Sequence, residues 1–276
     1  MVKAPTSGLE AKLKLLTAAN LHETSVFGAD AVKADTFSEW FAFTMRVTDP
    51  DMLRTALYYG FQPLFDALIT QPLAKTNREE AVQFIDGLIK ASTQYIASYY
   101  LGEPHIEDLK QELEANLHRR NWFSQASYSK KSRNIDTNNI SPWDIKKFIK
   151  QYIKHVSKSK RPDYIIGCAC GSSEIVMALA GIIEVPLGFI RKSHRRGDTT
   201  ARIIPEQEAE IRKNCAGKNV LCIDDYVCSG QSLRTVMNSA VSYGCASVQC
   251  ASINNSREGN HMKEVINTTK FHLYEI

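Results

Sequence analysis

Apolar side chains recur three and four positions apart through the first 120 residues, the period of helices with one buried face. On that ground Leu9–Ala19, Phe37–Val47 and Pro50–Gly60 each predict a helix. A longer one is predicted to start at Thr76 and Glu79, whose spacing is that of a capping box. It continues through Phe84, Ile85, Leu88, Ile89, Tyr95, Ile96, Tyr99 and Tyr100, and stops near Gly102. Pro104–Arg120 predicts a more polar helix with a solvated face. No β-type alternation of any length and no fixed-period repeat interrupts this half.

Composition changes between Asn121 and Ile140 to Ser, Asn, Lys and Arg, which predicts a linker or long loop. Lys130, Lys131 and Arg133 give it a basic, solvated character. A helix is then expected from Ser141, with Pro142 at its first position and Phe148, Ile149, Tyr152, Ile153 and Val156 along its apolar face. Beyond Pro162 the pattern alternates between strand and helix. Asp163–Cys168 is a continuous apolar run, as in a strand buried on both faces. Gly171 and the residues after it open a helix through Ile183, and Pro186–Arg191 is a second strand. Lys218–Ile223 makes a third strand, Ser232–Tyr243 a helix closed by Gly244, Ala246–Ile253 a fourth strand, and Phe271–Tyr274 a candidate last one. This alternation implies an α/β fold, a mostly parallel sheet with flanking helices over residues 141–276. It is preceded by an all-helical region, a domain or extended hood plus linker, over residues 1–140.

Globular composition, 43% hydrophobic and 23% charged, excludes a disordered or fibrous chain. The longest uncharged apolar stretches, such as Ile175 to Ile183, are too short to span a bilayer, and the N-terminus has no apolar signal core. A cytoplasmic, membrane-free protein is the expectation. The seven cysteines agree with it: the number is odd, and several sit in strand-like runs where a thiol acts as a small hydrophobe. Cys168 and Cys170 form a C-x-C pair, but no His/Cys pair at finger-like spacing joins it. Residues 1–140 hold 15 Lys and Arg against 17 Asp and Glu, net −2, whereas the remainder holds 19 against 13, net +6. The overall +4 therefore hides a basic C-terminal half, suited to nucleic acid or to a small polyanion.

In a parallel α/β sheet, ligands bind beyond the carboxyl ends of the strands. The third strand is expected to end in Ile223-Asp224-Asp225-Tyr226-Val227-Cys228-Ser229-Gly230-Gln231-Ser232. This places two adjacent carboxylates before a small-residue turn at a helix N-terminus, where free N–H groups and the helix dipole suit a phosphate. Ser229 and Ser232 add hydroxyl donors, and Gly230 lets the backbone come close. Carboxylates beside a phosphate cradle need other partners, and sugar hydroxyls with a divalent cation are the natural ones.

The stretch Val220–Ser232, VLCIDDYVCSGQS, resembles the phosphoribosyl-pyrophosphate signature of type I phosphoribosyltransferases. The resemblance implies that Asp224 and Asp225 hold the ribose hydroxyls, with Mg2+, and that Cys228, Ser229, Gly230, Gln231 and Ser232 wrap the 5′-phosphate. Cys170, Gly171 and Ser172 stand at the family's pyrophosphate loop, where Ser172 also fits as a simple helix cap. Pro186–Lys192 resembles the strand that delivers a basic pair, Arg191 and Lys192, to the pyrophosphate. His194, Arg195, Arg196 and Arg202 follow, with only Asp198 opposing them, and Gly197–Thr200 is similar to the tip of the family's mobile loop.

Two departures stand out: Tyr226 replaces a small aliphatic residue, and Cys228 stands where members acting on 6-oxopurines carry an acid. The implied activity is transfer of a 5-phosphoribosyl group to an acceptor, a nucleobase or other nucleophile, with release of pyrophosphate. The alternative is a non-catalytic sensor of the same metabolite, acting through the helical half. That half leaves a homodimer or a partner protein open. Trp40, Phe41, Phe43, Trp122 and Phe123 could stack on a base, but aromatics on apolar helix faces are far more often core. No reading helix or aromatic platform supports nucleic-acid binding.

Overall fold

The computed structural model describes residues 6–21, 32, 34–128, 140–156, 161–192, 200–255, 263–268 and 271–275. The helical half consists of α1 (Thr6–Ala18), α2 (Phe37–Arg46), α3 (Pro50–Thr70), α4 (Lys75–Leu101) and α5 (Ile106–Ala115), followed by two short 3-10 turns at Leu117–Arg119 and Asn121–Ser124. Then come α6 (Pro142–Val156), β1 (Tyr164–Ala169), α7 (Ser173–Ile183), β2 (Leu187–Arg191), α8 (Pro205–Cys215), β3 (Asn219–Val227), α9 (Gln231–Ser242), β4 (Ser247–Asn255), β5 (Lys263–Thr268) and β6 (Phe271–Glu275). No described helix is long and apolar enough to cross a membrane.

The strands form one six-stranded sheet in the order β2-β1-β3-β4-β6-β5. The first four run parallel, and β6 and β5 close one edge antiparallel. Alternation along β1 sorts the side chains: Tyr164, Ile166 and Cys168 pack with α8 and α9, while Ile165 and Ala169 face α7. On this second face α6, α7 and the N-terminal helices share one hydrophobic cluster that runs from Leu16 to Leu273. Trp40, Phe41, Trp122 and Phe123 are all buried in it, so they are core. The stretch expected as a linker from Asn121 therefore starts as packed structure: Phe123 meets Phe84 at a centroid distance of 5.2 Å, as does Trp122 with Phe37. The basic residues Lys130, Lys131 and Arg133 lie outside the described residues.

Several boundaries differ from expectation for local physical reasons. α3 passes through Gly60 and ends ten residues later. Gly60 is no stop but a socket for Trp40, whose Nε1 lies 1.9 Å from where a Cβ would sit and whose N–H donates to the Ala56 carbonyl. The expected capping box at Thr76 does not form, because α4 begins at Lys75 and its N-cap residue, Ala74, has no side-chain hydrogen bond to offer. A reciprocal cap does start α6: the Asp144 N–H donates to Ser141 Oγ and the Ser141 N–H to Asp144 Oδ2, each at 3.2 Å. α8 escaped the periodicity because only Ile211 and Cys215 are buried along it. β3 runs four residues past Ile223, since β4 extends alongside and keeps its ladder paired to Val227.

α4 and α7 pack closely where Gly181 faces α4. A Cβ there would lie 2.7 Å from the Ala97 Cβ and 2.8 Å from the Thr93 carbonyl oxygen. Gly181→Ala gains about 1 kcal/mol in helix propensity. It loses roughly 1–3 kcal/mol to overpacking. Because one of the obstructing atoms is backbone, the loss dominates, and a lowered thermal midpoint by calorimetry is expected.

Candidate active site

β2, β1 and β3 are neighbours, so their carboxyl ends open onto one line. After β1 the chain turns through Cys170, Gly171 and Ser172 into α7, with a cis peptide between Ala169 and Cys170. Cys170 and Ser172 are buried. Ser172 does not cap α7: its hydroxyl donates back to the Cys168 carbonyl at 2.9 Å, leaving the first-turn amides of α7 without a side-chain cap.

Asp224 and Asp225 lie within β3, as the longer ladder requires; alternation starts their side chains toward opposite faces, but at this strand end the two carboxyls remain within hydrogen-bonding reach of each other. Asp224 falls on the side of Cys168, whose thiol is hydrogen-bonded to its carboxyl, and the Asp225 N–H donates to Asp224 Oδ1 at 3.0 Å. Burial pushes the Asp224 carboxyl well above the usual carboxylate range, and the neighbouring Asp225 pushes it further. Asp225 turns toward the loop after β1: a Cβ on Gly171 would lie 2.7 Å from Asp225 Oδ2, so any larger residue would displace the carboxylate from this position.

Three residues past Asp225 the chain reaches the turn Cys228-Ser229-Gly230, which opens α9. Cys228 and Ser229 are exposed, as is Gln231, and Ser232 is half-buried. Gly230 occupies the left-handed region at φ 76° and caps α9 without a side-chain hydrogen bond. Ser229 Oγ accepts from the Gln231 N–H at 3.4 Å. The turn thus presents amides and hydroxyls to solvent at a positive helix end. All seven cysteines are free thiols. Among the described residues no three His, Cys, Asp or Glu side chains gather as a metal-ligand cluster.

The basic pair at the end of β2 divides. Arg191 is only 2% exposed, and its Nη1 lies 2.7 Å from Asp66 Oδ1 of α3 in a buried ion pair. Its expected reach toward a ligand is therefore not what this conformation displays: the guanidinium is committed to the helical half. Its backbone bonds in both directions with Arg202 at 2.8 Å. Lys192, the next residue, is half-buried. Arg195, with His194, Arg196 and Gly197–Thr199, lies outside the described residues.

Sequence reading missed the residues that α3 contributes. Arg54 Nη1 donates to both Glu174 oxygens at 2.8 Å, and Arg54 Nε to Asp51 Oδ1 at 2.8 Å. Tyr100 donates to Glu174 at 2.5 Å and Tyr99 to Asp51 at 3.0 Å. Burial alone would lower the Arg54 pKa, but Glu174 and the other partners more than offset it, and the group is held charged. Burial, then Asp225, pushes the Tyr58 hydroxyl well above its usual range, so it remains a neutral donor. A recess lined by Arg54, Thr55, Tyr58 and Tyr59 of α3, Ile140, Ile145 of α6, and Gly171, Glu174, Ile175 and Asp225 opens beside the acids. The available signal was polar residues at 51, 54, 55, 58 and 66 on an otherwise apolar helix.

A carboxyl held above its unfolded-state pKa binds its proton more tightly when folded. Its contribution is favourable at low pH and is lost as pH rises above the ordinary carboxylate range. At neutral pH Asp224 therefore opposes folding, and Asp224→Asn should raise the unliganded melting temperature by roughly 2–4 °C. The gain should shrink as pH falls toward about 4 and vanish by about pH 3, where the wild-type carboxyl is protonated in both states. Melting curves across that range check both the size and the slope.

The family model described as phosphoribosyl transferase domain matches residues 132–272, just over half of the chain. No curated protein matches the sequence. The matched span holds β1 to β5, the start of β6 and all three strand-end loops. The chain belongs to the phosphoribosyl transferase domain family.

Proposed function

We propose that the protein transfers a 5-phosphoribosyl group from phosphoribosyl pyrophosphate to an acceptor and releases pyrophosphate. One observation carries the reading: two acids in β3, one against the Gly171 backbone, stand just before a small-residue turn, Cys228-Ser229-Gly230, that opens the N-terminus of α9. A small ligand with hydroxyls in its middle and phosphates at both ends matches that order of groups. Asp224 and Asp225 take the ribose hydroxyls, Cys228–Ser232 the 5′-phosphate, and Cys170–Ser172 with Lys192 and Arg195 the pyrophosphate. In the reaction the C1–O bond breaks, pyrophosphate leaves with the electron pair, and the acceptor's lone pair forms the new bond to C1. The chain's part is to hold both ends in line and to neutralise the leaving charge. No protein nucleophile is needed.

Mg2+ fits the acids: two adjacent carboxylates, one buried beside its like-charged neighbour, are the partial ligand set this ion uses when substrate phosphates supply the rest. When bound it would offset the charge on the pyrophosphate. A second reading, a sensor that binds the metabolite without turning it over, is favoured by the commitment of Arg191 to Asp66.

Incubation with Mg2+, phosphoribosyl pyrophosphate and a panel of nucleobases, with pyrophosphate release as the signal, separates the two. Release supports the transferase; tight binding in calorimetry without release supports the sensor. Asp224→Asn combined with Asp225→Asn should weaken binding at least about a hundredfold, given roughly 1.5–3 kcal/mol per charged hydrogen bond lost. The fold, read by circular dichroism, should be retained. Unchanged binding by the double variant rules out the site.

A further inference from the structure

Two buried ion pairs join α3 to the loops on the proposed pyrophosphate side, and the proposed chemistry uses neither. At one end Arg54 grips both oxygens of Glu174, three residues past Gly171 in the first turn of α7. At the other end Asp66 pairs with Arg191, the last residue of β2 and the neighbour of Lys192. Twelve residues separate Arg54 from Asp66, a span of about 18 Å along a helix. Between these anchors the contact is aromatic, with Phe61 and Phe65 at 5.0 and 6.3 Å from the Phe189 ring in β2.

Apolar contacts of this kind tolerate sliding, whereas a planar guanidinium held by Asp51 through Nε and by both Glu174 oxygens through Nη1 defines direction as well as distance. Buried ion pairs are also poor stabilisers compared with well-packed apolar side chains of similar volume, because both charges are stripped of water. Two such pairs at the two ends of one helix, each within a few residues of a different loop, make sense as a way of setting register. We propose that α3 is a splint holding the β1–α7 loop and the end of β2 in one relative arrangement, with Arg54 and Asp66 as positioning residues for the pyrophosphate half of the site. This rests on the phosphoribosyl pyrophosphate reading above. The helical half thereby acquires a task in the site itself: a shift of α3 at either anchor moves Gly171 and Ser172, or Lys192, away from the other.

The test is calorimetry on the full chain with Mg2+, comparing phosphoribosyl pyrophosphate with ribose 5-phosphate, which lacks the pyrophosphate. Asp66→Asn should weaken the first about tenfold and change the second by less than about twofold, since small misplacements of a gripping group carry large penalties. Arg54→Lys, which keeps the charge but loses the fork, should show the same selective loss. Asp66→Glu, a charge-preserving change, should recover part of the affinity and supplies a folded variant if Asp66→Asn unfolds. Equal losses for both ligands, or no loss in folded variants, overturn the splint. Wild-type protein that binds neither ligand overturns the phosphoribosyl pyrophosphate reading, and the splint with it.

Discussion

Asp224 and Asp225 are adjacent in a strand whose residues are otherwise largely buried, and this is the arrangement around which the rest of the site is organised. Burial raises the Asp224 carboxyl, the charge and side-chain hydrogen bond of Asp225 raise it further, and the Asp225 backbone N–H and the Cys168 thiol oppose the shift. A core strand gains nothing in stability from such a pair. The surrounding structure accommodates it through small groups. Gly171 leaves room for the Asp225 carboxylate, and Gly230 adopts the left-handed turn that starts α9 just beyond. A site that is unfavourable in the unliganded fold, built where three strand ends converge, is the usual price of function.

The second organising feature is the way the helical half is attached. It covers one face of the sheet, shares a single hydrophobic cluster with α7 and the sheet, and leaves the other face to α8 and α9. Its buried ion pairs to the sheet half sit at the carboxyl edge, where Arg54 meets Glu174 and Asp66 meets Arg191, while the more exposed Arg78–Glu206 and Asp86–Gln207 contacts tie α4 to α8. Lys12 of α1 adds a peripheral tie, donating to the Ile182 carbonyl at 2.8 Å at the far end of α7. Helices that pack by area alone need no such charges; here the charges sit next to the loops proposed to hold ligand.

Much of the fold was legible. The four parallel strands and the helices between β1 and β2 and between β3 and β4 follow from apolar runs, flanking glycines and helical period. Where periodicity was weak, reading failed: α8 buries only Ile211 and Cys215, and Gly60 read as a stop because nothing local shows that Trp40 lies over it. In the site, Asp224, Asp225 and the turn at Cys228–Ser232 were legible because one short segment carries them all. Arg191 was placed correctly at a strand end but not given its partner, because Asp66 lies 125 positions earlier in a helix whose neighbour no local pattern identifies.

By itself the sequence determined which segments are strand or helix and which of them bears acids followed by a phosphate-sized turn, since side-chain period and turn chemistry act over a few residues. Only the tertiary structure decided where each charge is directed. Which carboxylate is buried, which arginine is already paired, and which glycine must be glycine depend on atoms brought together from distant parts of the chain, and burial then sets the strength of every electrostatic contact among them.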